Sequence, residues 1–263
     1  MSTTAAPEVE GFRIEVDGLR ADLVLDQPDR LNPLSTQTLL DLETAARWID
    51  DQRDVRVVVV RGEGRAFSAG ADLASFQAAA EPGDVHANAD AGRRMADAVE
   101  AMRAVAIAQV HGHCVGGGLV LAAACDLRIA ATGTQFSIPE VDLGIPLAWG
   151  GIPRLVREIG PAATKELVMT CRRFDADEAK QLGFLNRVVD TDALVATVDD
   201  LAASLAAKPA FAVAMTKSAT NAVTANATAM ASTWADAAQL THGLRDPEGR
   251  AAARAYVERV RER

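Results

Sequence analysis

Between His111 and Val120 the chain reads His-Gly-His-Cys-Val-Gly-Gly-Gly-Leu-Val, entered from the apolar run Val105–Val110 and continued by Leu119-Val-Leu-Ala-Ala-Ala-Cys125. This pattern predicts a buried strand, a sharp turn and a helix whose first turn is glycine. Gly116, Gly117 and Gly118 have no Cβ atoms, so a ligand can approach the free N–H groups of that turn, where the helix dipole also favours negative charge. The stretch is a candidate anion site. Phosphate, pyrophosphate and an oxyanion would all suit it. No Lys-Ser/Thr follows the glycines, as a P-loop needs, and their spacing is not the Gly-x-Gly-x-x-Gly of a dinucleotide site. Glycines that only let a helix pack closely on a strand would look the same. Two further features could act on a bound anion. One is a second glycine-punctuated loop, Arg61–Leu73; the other is the pair of carboxylates Glu140 and Asp142 in the long loop from Pro139 to Gly151.

The elements that must position these residues follow from periodicity and punctuation. Phe12–Val16 and Leu19–Leu25 alternate about Asp17-Gly18 and predict a hairpin. Ser35 is placed to cap a helix carrying Leu39, Leu40, Leu42, Ala45 and Trp48, and Val55–Val60 reads as a strand buried on both faces. Strand, helix and strand in that order imply a parallel crossover. Asp72 is placed to cap whatever helix follows. Ala74–Asp90 is polar and broken, predicting a mobile loop with His86 solvated, before a helix carrying Met95, Val99 and Met102. Short strands are expected at Asp126–Ala130, Gln135–Ile138 and Asn186–Asp190, and helices at Arg154–Ile159, Ala162–Met169 and Ala176–Leu182. From residue 191 the pattern is helical only, broken at Lys208-Pro209 and Asp246-Pro247. The expected organisation is a loose tail over 1–10, an α/β core over 11–190 and a helical region over 191–263.

Composition narrows the partners. The chain has 263 residues, is 49% hydrophobic and 24% charged, and carries a formal net charge of −9, which argues against nucleic acid or an anionic membrane surface. No run approaches the roughly 18 apolar residues of a membrane span, and the N-terminus lacks a basic and then apolar signal region. Cys114, Cys125 and Cys171 have no metal-ligand spacing and form no even disulfide set, pointing to a reducing cytoplasm and no metal.

Seven segments then carry a resemblance over nearly the whole chain: Pro28–Asn32, Ala66–Leu73, Val110–Gly118, Cys125–Ala130, Phe136–Glu140, Gly144–Pro146 and Gly151–Leu155. In this order they resemble the crotonase, or enoyl-CoA hydratase/isomerase, superfamily. The resemblance implies an α/β crotonase-like spiral of repeated β-β-α units with a C-terminal helical trimerisation region, assembled as a homotrimer or dimer of trimers. It implies a coenzyme A thioester as substrate, with no permanently bound cofactor, in fatty acid metabolism. The thioester oxygen of an enolate would sit in an oxyanion hole made by the backbone N–H groups of Ala71 and Gly117. Ala69, Asp72, Leu73 and Gly116 would complete the binding loops, and Tyr256 and Arg259 would reach the coenzyme A of a neighbouring subunit.

One departure from that family decides the expected chemistry. Family hydratases carry two glutamates; the second matches Glu140, but the first aligns with Val120. Adding water across a double bond needs one group to deprotonate water and another to deliver a proton. Moving a double bond needs only a base that takes a proton and returns it to another carbon, and Glu140 alone suffices. The expectation is therefore an enoyl-CoA isomerase with Glu140 as sole acid/base. The alternatives are other reactions of the superfamily, among them hydration, thioester hydrolysis and decarboxylation, or a non-catalytic acyl-CoA binder. Val120 and Trp149 are acyl-pocket candidates, and Trp149 fits core packing equally. The position where some relatives carry an aspartate is Ala148. Asp142, two residues from Glu140, would share a side with it in extended chain. His111 and His113 read as satisfied core histidines.

Overall fold

The structure is a computed structural model that describes residues 5–72, 85–227 and 236–261. Strands β1 (Phe12–Asp17) and β2 (Arg20–Leu25) form the predicted antiparallel hairpin, with Gly18 at φ +56° in its turn. Strands β4 (Val57–Gly62), β6 (Val105–Val110), β8 (Leu127–Ala131) and β11 (Arg187–Val189) extend it in parallel, in the order β1-β2-β4-β6-β8-β11. Val57–Val60 and Val105–Val110 are buried throughout. A strand covered on both faces has no solvent side, which is why these runs are continuous rather than alternating.

Each crossover contains a second, shorter strand. β2 is followed by β3 (Pro33–Leu34) and helix α1 (Thr36–Asp51), β4 by β5 (Gly70–Ala71) and α2 (Val85–Ala101). β6 is followed by β7 (His113–Val115) and α3 (Gly117–Ala124), and β8 by β9 (Gln135–Ser137) and α4 (Gly151–Thr170). The chain is therefore a spiral of β-β-α turns. Long strands build the large sheet, while β3 pairs with β5, and β7 with β9 and β10 (Phe174–Asp175). Helix α5 (Ala176–Gln181) leads to β11. Beyond it the described elements are helical: a short 3-10 turn, then α6 (Leu194–Ala206), α7 (Ala210–Ala227), α8 (Asp236–Arg245) and α9 (Pro247–Arg261). Leu194, Val198 and Ala202 of α6 cover the face of Val57, Val59, Ile107 and Ile129. No described helix is long and apolar enough to cross a membrane.

Several local expectations are met and several are corrected. Ser35 caps α1, its side chain accepting from Thr38 N at 3.0 Å. Helix α2 starts at Val85, inside the stretch expected to be a loop; Asp90, Arg93, Arg94 and Asp97 keep solvent contact while Ala89, Ala91 and Met95 enter the core. The helix expected to be capped by Asp72 and residues 1–4 of the tail expected over 1–10 lie outside the described residues, as does the His86 side chain. The two helices expected at Arg154–Ile159 and Ala162–Met169 are present as the two halves of α4, separated where Gly160 takes the non-helical φ +75° and ψ 166° ahead of Pro161. His111 and His113 are not core residues: His113 is exposed, and a ring nitrogen of His111 hydrogen-bonds Gly64 O at 2.9 Å. The reason lies in Gly112, whose φ of +61° turns the chain out of the large sheet before β7 begins.

A Cβ at Gly112 would lie 1.9 Å from Arg65 O, a backbone atom that cannot swing aside. Gly112→Ala is expected to destabilise the protein by at least about 2 kcal/mol, combining left-handed strain with a backbone clash. An unchanged urea midpoint would show that this turn is not the constraint described.

Candidate active site

The short strands bring together segments far apart in sequence. β7 pairs in parallel with β9, Val115 opposite Ser137, and Gly116 N donates to Ser137 O at 2.9 Å. Glu140 follows three residues later, so this pairing delivers its carboxyl to the glycines. On the other flank Ser68 N donates to His113 O at 3.0 Å and Val115 N to Ser68 O at 3.1 Å, which sets β5 beside the start of α3. Just after β5, Asp72 N donates to Leu34 O at 2.9 Å. Backbone groups alternate along a strand, so the preceding N–H, that of Ala71, points away from β3 and toward the glycines. A Cβ on Gly70 would stand 3.4 Å from Gly117 N, which shows how close the two donor segments lie.

Gly117 is the first residue of α3, and its N–H is one of those a helix leaves without an intrahelical acceptor. Gly116 precedes it at φ +47°, a conformation that suits glycine. The opposite end of the helix is also matched to its dipole. Arg128 Nη1 donates to Cys125 O at 2.7 Å and Arg157 Nη2 to Ala123 O at 3.3 Å, placing guanidinium charge at the negative end.

A cavity of about 70 Å³ opens over these groups, lined by Ala71, Gly117, Val120 and Glu140, by Leu143–Trp149 of the following loop, and by Leu240, Leu244, Ala253 and Val257 of α8 and α9. Among the described residues, Glu140 is the one ionisable side chain of that lining. Its backbone retains some solvent contact, but carboxyl oxygen Oε2 is buried without a hydrogen-bond partner. Burial pushes the carboxyl up to about 7, against a smaller opposing effect of its own backbone N–H. A carboxyl half ionised at neutral pH and aimed into a dry cavity can both take and return a proton.

The remaining expected site residues divide between this cavity and its surroundings. Val120 and Trp149 line it together with Ala71 and Gly117, and Gly116 lies against the Glu140 carboxyl. Ala69 N donates to Leu31 O at 2.7 Å, tying the loop before β5 to the chain before β3. Asp72 accepts from Arg30 Nη2 at 2.8 Å at the outer edge, and Leu73 lies outside the described residues. Asp142 does not share a side with Glu140. Residues 139–144 form turns rather than extended chain, with Leu143 N and Ile145 N both donating to Glu140 O at 3.0 Å. The turn sends the Asp142 side chain outward, to pair with Arg259 Nη2 at 2.9 Å. Arg259 in turn lies over the Tyr256 ring, 5.4 Å from its centroid, and both line a separate depression behind the Glu140 turn. Ala148 lines the cavity and supplies no carboxylate. Leu240, Leu244, Ala253 and Val257 were not expected here; their helical spacing reads only as an apolar face, whatever it covers.

The chain matches the family described as enoyl-CoA hydratase/isomerase over residues 21–262. It is 36% identical over 215 residues to a crotonyl-CoA hydratase of Syntrophomonas wolfei, covering 81% of this chain and 82% of that protein. It is 33% identical over 199 residues to a peroxisomal Delta(3,5)-Delta(2,4)-dienoyl-CoA isomerase of Arabidopsis thaliana, covering 72% of each. Among solved structures, an enoyl-CoA hydratase/isomerase from Mycobacterium paratuberculosis superposes with a TM-score of 0.86 at 26% identity, over 93% of this chain and 98% of that one.

The position of Glu140 has a consequence for stability. Its folded value of about 7 lies above the ordinary 4.5, so burial favours the protonated form. The carboxyl therefore costs nothing below about pH 4.5, and an increasing amount as pH rises from there through 7, reaching on the order of 3 kcal/mol. Glu140→Gln is expected to match the wild type near pH 4.5 and to exceed it in stability at pH 8. Denaturant midpoints that differ equally at both pH values would overturn this account of the buried carboxyl.

Proposed function

The chain belongs to the enoyl-CoA hydratase/isomerase family, and from that premise we propose that it moves the double bond of an enoyl-CoA thioester, with Glu140 as its sole acid/base. The observation that carries this reading is the cavity lining, where one carboxyl faces two bare backbone donors and, among the described residues, every other side chain is unionised. The thioester oxygen would accept from the N–H groups of Ala71 and Gly117. As the α-carbon system becomes an enolate, charge grows on that oxygen, and fixed donors in a water-poor site stabilise it more than solvent does; losing one such donor costs about 2.7–4 kcal/mol elsewhere. Glu140 would remove a proton from one carbon and return it to another, a cycle that needs no second group. The lining of Val120, Leu143, Leu147, Leu240, Leu244 and Val257 suits an apolar acyl chain.

Hydration is the second reading, favoured by the name of the Syntrophomonas wolfei relative. The site supports it less. Val120 stands where a second carboxylate would have to act, and its apolar surface disfavours a bound water at that corner. Loss of one positioned acid/base group costs about 10²–10⁴-fold in rate, so any hydration should be slow.

Mass spectrometry separates the two, since isomerisation conserves mass and hydration adds a water. With a panel of β,γ- and α,β-enoyl-CoA substrates, the wild type is expected to interconvert double-bond isomers and to hydrate crotonyl-CoA poorly. Glu140→Gln should abolish turnover while retaining acyl-CoA affinity, and Val120→Glu should raise hydration. Wild-type hydration of crotonyl-CoA at about 10² per second or more would overturn the isomerase reading.

We further propose assembly as a trimer or a dimer of trimers, supported by the apolar side chains that α7 leaves in solvent, Phe211 at 78% and Val223 at 69% exposure. Light scattering at micromolar concentration should give a trimeric or hexameric mass, and a monomeric mass would count against it.

A further inference from the structure

Trp149 combines features that acyl-pocket lining alone does not require. It is a bulky residue held at φ +60°, a left-handed conformation that is unfavourable for any side chain with a Cβ, and it is buried. Both flanks of its peptide are restrained. Buried Arg154 Nη1 donates to Gly150 O at 3.2 Å and to Trp149 O at 3.4 Å, and Gly150 N donates to Asp236 Oδ2 at 2.7 Å. Arg154 is itself clamped to α2 through Glu100 at 2.6 Å and Asp97 at 2.9 Å. A strained residue whose following peptide is held at both its carbonyl and its N–H calls for a functional reason.

The indole lies between two helices that each present a glycine to it. A Cβ on Gly92 of α2 would come within 2.1 Å of Trp149 Cδ2, and a Cβ on Gly117 within 2.1 Å of Cζ3 and 2.7 Å of Cη2. The five-membered part of the ring therefore rests on bare α2 backbone, and its six-membered part rests on the residue whose N–H faces the cavity. Gly117 opens its helix, where hydrogen bonding is least complete, and glycine adds no side chain of its own to fix the turn. Lateral support has to come from a neighbour.

We infer that Trp149 is a positioning residue for the Gly117 N–H, with Gly92 as the seat that fixes how far the indole reaches. The inference rests on the reading of Gly117 as an oxyanion donor. Orientation of that donor matters most when charge has developed, so disturbing it should lower kcat with little change in KM. A ring that only walled the acyl chain would instead alter KM and the preference for chain length.

Gly92→Ala tests this. Alanine is the better helix former, so α2 itself is not weakened, while the new methyl forces the indole toward Gly117. The expected result is a kcat about 10–100-fold lower, as small misplacements in an active site produce, with KM changed by less than about 3-fold. In the Trp149→Gly background, which keeps the positive φ but removes the ring, adding Gly92→Ala should have almost no further effect. The second readout is the ultraviolet enolate absorbance of bound acetoacetyl-CoA, whose acidic α-carbon reports stabilisation of the oxyanion without turnover. The wild type should produce it and Gly92→Ala should weaken it. If Gly92→Ala does not fold, Trp149→Phe, which withdraws the ring atoms touching Gly117 without adding a clash, should show the same fall in kcat and in enolate signal. A wild-type enolate signal that persists in these variants, a kcat that does not move, or a Gly92→Ala effect that is undiminished without the ring would overturn the inference while leaving the oxyanion hole intact. Absence of the enolate signal in the wild type itself would overturn the oxyanion reading, and this inference with it.

Discussion

Everything in this structure converges on one short stretch of bare backbone, and the chief constraint is that no side chain fits there. A Cβ on Gly116 would meet Glu140 Oε1 at 2.5 Å, one on Gly117 would meet the Trp149 ring, and one on Gly118 would meet Ser68 Cβ at 2.7 Å. Two segments press on three successive residues: the loop between β9 and α4, through Glu140 near its start and Trp149 near its end, and the segment before β5, through Ser68. Close packing on one residue restricts one neighbour, but packing on a whole helical turn fixes the relative position of all three neighbours. The glycines thus do two things at once, exposing N–H groups to the cavity and letting the base, the ring and the second donor segment approach them.

Two buried glutamates show how local charge sets chemistry in this fold. Glu100 is deeply placed, and burial alone would push its carboxyl up, yet Arg154 and Arg157 hold it below its ordinary range. It stays ionised and works as a structural anchor, linking α2 to α4 and to the Trp149 turn. Glu140 is buried without any such cation, and its carboxyl rises to about 7. Desolvation is the same in kind for both, so the presence or absence of a guanidinium decides between a permanent charge and a carboxyl that titrates near neutral pH. The fold places its arginines at the far end of α3 and around α2, and leaves the cavity end apolar.

Much of this was legible in the sequence, for identifiable reasons. The large sheet could be read because its central strands are continuous valine-rich runs, and the α1 start because Ser35 carries its own acceptor. The glycine run declared a bare helix start through composition alone, and the ordered motifs pointed to Glu140 and to the missing glutamate at Val120. These are local properties, carried by side chains that act through their own backbone or their immediate neighbours. By contrast, the two- and three-residue strands β3, β5 and β7 are too short to leave a periodicity, although they set the positions of Ala71, Gly117 and Glu140.

The sequence by itself determined which groups are available: two backbone donors, one carboxyl and an apolar residue at position 120. Tertiary structure alone decided how they are used. Asp142 and Glu140 are two residues apart, but a turn directs one to Arg259 in solvent and the other into the cavity, and no spacing rule for extended chain foretells that turn. Leu240, Leu244, Ala253 and Val257 read only as helical faces until α8 and α9 fold back to line the cavity. Trp149 could be assigned to pocket or core equally well, because its role depends on Gly92 and Gly117, which are 57 and 32 positions away in numbering (149 minus 92, 149 minus 117) and meet it only through the packing of α2 and α3. Desolvation follows the same logic: the proton affinity of Glu140 is a property of the surfaces that surround it, and those surfaces come from elements that only the folded chain brings together.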